Sequence, residues 1–125
     1  MTIARQRTGQ RAEDLVTRRL ADAGCEILER NARTRYGELD IVALDGPALV
    51  FVEVKAGHQG AAFGPEHPIL SVDTRKQRRV RKLATAWMAA RRDVPPYTEI
   101  RFDAVGVTFD RTGRVVHYEY IAAAF

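Results

Sequence analysis

Two apolar runs joined by a short turn constrain this chain most: Leu39-Asp40-Ile41-Val42-Ala43-Leu44 and Leu49-Val50-Phe51-Val52-Glu53-Val54-Lys55, on either side of Asp45-Gly46-Pro47-Ala48. Strands apolar on both faces must be covered on both faces, so the hairpin predicts the interior of a sheet and not a solvent-washed edge. Charge in such a place is costly unless something compensates it. Asp40, Glu53 and Lys55 are charged, and they are the chain's best clue to chemistry.

Side chains alternate along a strand, which sets Asp40, Val42 and Leu44 on one face, and Leu49, Phe51, Glu53 and Lys55 on one face of the next strand. An even loop centred between Gly46 and Pro47 pairs Leu44 with Leu49 and Val42 with Phe51, so Asp40 falls opposite Glu53 and Lys55 opposite Glu38. An odd loop would turn Asp40 away from Glu53. Two carboxylates roughly 5 Å apart repel by about 3 kcal/mol at an effective dielectric near 20. Mg2+ relieves such a pair, accepting a few carboxylate oxygens with waters and a substrate phosphate. The bland alternative is an exposed cross-strand pair neutralised by Lys55, and the apolar flanks argue against it.

Residues 5 to 23 carry apolar side chains at Ala12, Leu15, Val16, Leu20 and Ala23, a helical spacing that Gly24 terminates. Cys25 to Asn31 reads as a strand, followed by a basic connection from Asn31 to Tyr36 and then the hairpin. Gly57 to Pro68 has the composition of a mobile loop. Asp73 or Thr74 can cap a second helix to about Arg92, before Pro95-Pro96. Strands from Thr98 to Phe109 and Arg114 to Ile121 flank the turn Asp110-Arg111-Thr112-Gly113. The expected class is α/β, a mixed sheet of about five strands with flanking helices in the order αβββαββ, as one domain over residues 1–125.

The second helix separates two chemistries. Val80, Leu83, Ala84, Trp87 and Met88 form its buried stripe, with Trp87 a core residue and not a stacking platform. Arg75, Lys76, Arg78, Arg79, Arg81, Lys82, Arg91 and Arg92 accumulate elsewhere with no acid between Thr74 and Arg92. Solvated faces normally mix signs, so this one fits a polyanion contacted through its phosphates. Arg75, Lys76, Arg78, Arg79 and Lys82, with Arg33 from the basic connection, are the nucleic-acid-binding candidates. A net charge of +4 and a pI near 9.6 agree with that partner without requiring it. The lone Cys25 allows no internal disulfide and reads as a buried strand residue. No segment has the length and apolarity of a membrane span or signal peptide, so the cytoplasm is the expected compartment.

The quoted residues also resemble a known group. An acid closing one strand, a hairpin, then Glu-x-Lys resembles the PD-(D/E)-x-K nuclease superfamily with its restriction-endonuclease-like core. Gly9 and Glu13 in the first helix, Asn31-x-Arg33, Gly37-Glu38-Leu39-Asp40, Phe51-Val52-Glu53-Val54-Lys55, Lys76 and Arg101-Phe102-Asp103 resemble, over nearly the whole chain, the YraN-like family of small bacterial proteins related to archaeal Holliday junction resolvases. Two departures stand out. Leu39 replaces the proline of the superfamily's name, and Ala56-Gly57 follows the lysine where relatives usually carry a basic residue.

The resemblance implies a Mg2+- or Mn2+-dependent endonuclease on DNA, including branched or junction DNA. Asp40 and Glu53 would hold the metal, Lys55 would serve the attacking water and the transition state, and Glu13 would be a third carboxylate near the metal. On helix position alone Glu13 reads as a surface residue paired with a nearby arginine. Asp103, half buried by its pattern, is assigned to the support of the fold, and His58, His67 and His117 are taken as non-catalytic. The rival class is a nucleic-acid-binding protein that keeps the nuclease fold without turnover. RNA stays open as a substrate, and cutting both strands of a junction would call for a symmetric homodimer.

Overall fold

The hairpin lies inside a five-stranded sheet whose order in space follows the order in sequence, β1-β2-β3-β4-β5. In the computed structural model, which describes residues 3–60 and 72–125 with side chains from Arg7 onward, the elements are α1 (Ile3–Asp22), β1 (Glu26–Thr34), β2 (Gly37–Asp45), β3 (Ala48–His58), α2 (Thr74–Ala90), β4 (Glu99–Phe109) and β5 (Val115–Ile121). The expected αβββαββ order of a restriction-endonuclease-like core is therefore the order observed. Only β3 and β4 run parallel, because α2 carries the chain back between them; the other neighbours are antiparallel.

Each helix covers one face. Ala12, Val16 and Leu20 of α1 pack on Ile41, Ala43, Val50, Val52 and Val107, while Val80, Leu83, Ala84 and Trp87 of α2 pack on Leu49, Phe51, Val42 and Phe102. The doubly apolar hairpin thus finds cover on both sides. Trp87 is core, as expected, edge-on to Phe51 with centroids 5.8 Å apart, its indole N–H donating to Glu29 at 3.1 Å. Met88 is only partly buried.

Local signals set the helix ends. Gly24, at φ +95°, lets the chain turn after α1 while Cys25 N–H reaches back to the Leu20 carbonyl and Gly24 N–H to that of Ala21. Asp73 caps α2 by accepting from the Lys76 amide at 3.0 Å. Three boundaries differ from expectation. The supposed basic connection is largely strand, since β1 continues to Thr34 and leaves a two-residue turn, Arg35-Tyr36. Gly57 and His58, expected in a loop, extend β3 because parallel pairing with Thr108 and Phe109 holds them. Cys25 precedes β1, half-buried against the α1 layer. Most of the expected Gly57–Pro68 loop, His67 included, lies outside the described residues.

The second buried charge of the sheet is more buried than its pattern suggested. Asp103 on β4 is 0% exposed, and both its oxygens are engaged: Arg101 donates Nε–H and an Nη–H at 2.9 and 3.0 Å, Tyr120 donates its hydroxyl, and Ala123 its amide at 2.9 Å. Arg101 also reaches Asp45 at 3.0 Å. This cluster ties β4 to β5 and to the chain's last residues, the supporting role expected of Asp103. No described helix is long and apolar enough to cross a membrane.

Candidate active site

The two-residue Gly46-Pro47 loop gives the even register: Leu44 pairs with Leu49, Val42 with Phe51 and Ile41 with Val52. There the ladder stops, one step before Asp40 and Glu53. Instead of a backbone carbonyl, the Asp40 carboxylate accepts the Val54 amide at 2.8 Å, so a side chain occupies the place of a strand neighbour. Lys55 consequently does not pair with Glu38, which instead faces Arg33 across β1 and forms an ion pair with it at 3.4 Å.

Strict alternation also fails here. Ala32 and Leu39, a cross-strand pair, pack in the α2 layer, whereas Ile41 packs in the α1 layer, so β1 and β2 both change facing between these positions. Asn31 takes a left-handed φ of +49°, uncommon for a residue with a side chain, at the position between Arg30 and Ala32; Asp40 is the corresponding position on β2. That shared break leaves the Asp40 carboxylate directed along the sheet toward β3.

Asp40, Glu53 and Lys55 converge in one cleft of about 460 Å3, with Gly37 and Glu38 from β2 and with Lys76 and Arg79 from α2. Lys55 Nζ lies 3.1 Å from Glu53 Oε1, with the side chains only 26% and 16% exposed. Gly37 makes the close approach of α2 possible: a β-carbon there would stand 3.0 Å from an Arg79 guanidinium nitrogen, and its φ of +140° disfavours any other residue.

Lys55 is ion-paired with Glu53, and among the described residues no cation is ion-paired with Asp40. Burial, then the neighbouring Glu53 charge, pushes the Asp40 carboxyl up to about 8, against the pull of the Val54 amide and Lys55. Glu13 is also raised, chiefly by desolvation, with Arg30 opposing, and its Oε1 is buried with no hydrogen-bond partner. It sits on α1, near enough to raise Asp40 through its charge, but it does not line the cleft. Among the described residues no three His, Cys, Asp or Glu side chains are grouped closely enough to hold a metal, and Glu13 lies on the α1 side, outside the cleft lining. The donor set that remains, two carboxylates open to water and a phosphate, suits a hard divalent cation such as Mg2+.

The nucleic-acid candidates separate. Lys76 and Arg79 border the cleft, Lys82 borders a neighbouring groove, and Arg33 lies out on β1, 88% exposed; Arg75 and Arg78 are exposed on α2 but line neither hollow. Two of the other cations are committed elsewhere, Arg91 to Glu29 and Arg81 to the Phe102 and Phe125 rings. Sequence reasoning missed Tyr36, half-exposed beside the cleft; its one signal was an aromatic at the end of a basic stretch. His58 is exposed near Phe109 and His117 lies 3.6 Å from Glu119, neither at the cleft.

Comparison with known proteins gives one consistent result. The family model described as "Uncharacterised protein family UPF0102" matches residues 12–107. A UPF0102 protein of Streptomyces griseus is 47% identical over 113 residues, covering 90% of this chain and 92% of that one. One from Moorella thermoacetica is 43% identical over 125 residues, the full length of both, and one from Magnetococcus marinus 44% over 119 residues, 94% and 90%.

Proposed function

The chain belongs to the uncharacterised protein family UPF0102, also called the YraN family, and from that premise we propose that it is a divalent-metal-dependent endonuclease hydrolysing phosphodiester bonds in DNA. One observation carries the reading: Asp40, Glu53 and Lys55 meet in a single cleft bordered by Lys76 and Arg79. Asp40 and Glu53 would hold Mg2+ or Mn2+, which when bound polarises the phosphate and acidifies a water. The raised proton affinity of Asp40 supports this, since a cation between the acids replaces the proton and removes their repulsion.

The protein's own groups do the rest. Glu53 holds Lys55 in place, and the ammonium orients the attacking water and offsets the charge that develops on the phosphate. Lys76 and Arg79 grip the flanking phosphates without reading sequence. Glu13, from the α1 side, adjusts the field at Asp40 and offers its unpartnered Oε1 to a bridging water. Cutting a junction on both strands requires two such clefts, which a symmetric pair would supply.

A cleavage panel of duplex, flapped, nicked and four-way DNA with Mg2+ and Mn2+ tests the reading. Asp40→Asn and Lys55→Ala should each lower cleavage by about 100-fold or more, while binding in chelator is retained. Cleavage by both variants at the parent's rate overturns it, and salt-sensitive binding with no turnover of any substrate assigns the protein to non-catalytic nucleic-acid binding.

A further inference from the structure

A second hollow, about 580 Å3, lies beside the cleft between the Arg35-Tyr36 turn and the outer surface of α2. Its size is that of a small-ligand pocket. Alanines at 86, 89 and 90 form an apolar wall, and the rim is cationic and aromatic: Arg35, Tyr36 and Lys82. Tyr36 is 47% exposed, with Lys82 Nζ 4.1 Å and the Arg35 guanidinium 5.4 Å from its ring centre. The turn is stiff for so exposed a place, because Thr34 Oγ1 accepts the Tyr36 amide at 3.1 Å and donates to the Gly37 carbonyl at 2.9 Å.

The two hollows adjoin along both walls. Tyr36 and Lys82 line this one, and their chain neighbours Gly37 and Leu83 line the acidic cleft, each step being 3.8 Å between Cα atoms. The charge changes sign from the acids of the cleft to the cations of the groove. A flat apolar group joined to an anion matches such a wall and rim, and an unpaired nucleotide is such a group: the base lies on Tyr36 and the alanines, and its phosphate meets Lys82 and Arg35.

We infer that this groove takes an unpaired DNA nucleotide next to the scissile phosphate, so that the preferred substrate carries a single-stranded segment at the cutting position. Resting on the nuclease reading, the inference names the substrate class of the same site. A duplex keeps its bases stacked inside and cannot offer one to Tyr36 without local melting, whereas a flap or gap can. Tyr36 is then a binding residue, and Arg35, now beside its ring, is displaced toward the phosphate.

Binding is measured in chelator on the Asp40→Asn background, which separates the groove from catalysis. The probes are a blunt duplex and the same duplex with a single-stranded flap carrying a fluorescent adenine analogue near the branch. Tyr36→Ala should weaken flap binding by about 5- to 150-fold and remove the quenching of the analogue, leave duplex binding within twofold, and be rescued by Tyr36→Trp. Ala86→Glu, which sets a carboxylate in the groove, should act in the same direction. Equal loss on both probes, unchanged flap binding, or absence of flap binding by the Tyr36 protein overturns the inference, as does loss of a dimer in Ala86→Glu, which would make a second copy the occupant. Failure of cleavage with the flap preference intact would sink the nuclease reading and leave the groove assigned.

Discussion

The sheet buries two aspartates, and the chain treats them oppositely. Asp103 is closed off and fully provided for: a bidentate arginine, a tyrosine hydroxyl and a backbone amide meet its oxygens. Asp40, half-buried on β2, has one backbone amide and feels the charges of Glu53 and Glu13, with Lys55 opposing them. A buried carboxylate that serves only the fold is neutralised by the protein itself. One whose nearest charges are mostly acids holds its proton, or, on the nuclease reading proposed above, exchanges it for a metal ion.

Substitution at each aspartate's surroundings should therefore move stability in opposite directions. Arg101→Met strands the Asp103 carboxylate and should cost about 3–5 kcal/mol in chemical denaturation. Asp40→Asn should do the reverse without metal, raising stability by about 1–3 kcal/mol at pH 9. The sign follows from the Asp40 carboxyl's rise from 3.8 to about 8: the folded state holds its proton more tightly than the unfolded one, so its contribution is fullest below pH 4 and is lost as pH climbs toward 8. The advantage of the asparagine variant should accordingly grow from pH 4 to pH 8 and then level off; an advantage that does not change with pH breaks the contrast.

Smaller effects sharpen it. Tyr120→Phe removes one of the donors to Asp103 and should cost about 1 kcal/mol, since Arg101 and Ala123 remain. Millimolar Mg2+ should raise the melting temperature of the parent by a few degrees, more at pH 8 than at pH 6 because the ion displaces a proton, and leave Asp40→Asn unmoved. A parent indifferent to Mg2+ at both pH values would place Asp40 beside Asp103 as a structural acid.

The parts of this contrast legible in the sequence are those that depend on neighbours. Turn parity at Gly46-Pro47 set the register, and charge inside an otherwise apolar hairpin marked the cleft. Asp73 announced α2, and its apolar stripe announced which face would be buried. Tertiary effects were beyond such reading. Alternation carried past Ile41 could not foresee that Asn31 and Asp40 interrupt both strands together, nor could composition show that β4 would draw Gly57 and His58 into β3. The full burial of Asp103 required Tyr120, 17 residues on, and two of the cations counted for a polyanion were claimed by Glu29 and by a pair of phenylalanine rings.

The left-handed turn of backbone at Asn31 has an effect on the molecule's outward behaviour. β1 is one of the two margins of the five-stranded sheet, with β5 the other, and a margin is where a strand from another molecule would add and chains begin to self-associate. A single residue out of the extended conformation interrupts the row of amides and carbonyls a newcomer would need. Reshaping Asn31 into a regular strand should therefore put solubility at risk before it touches chemistry.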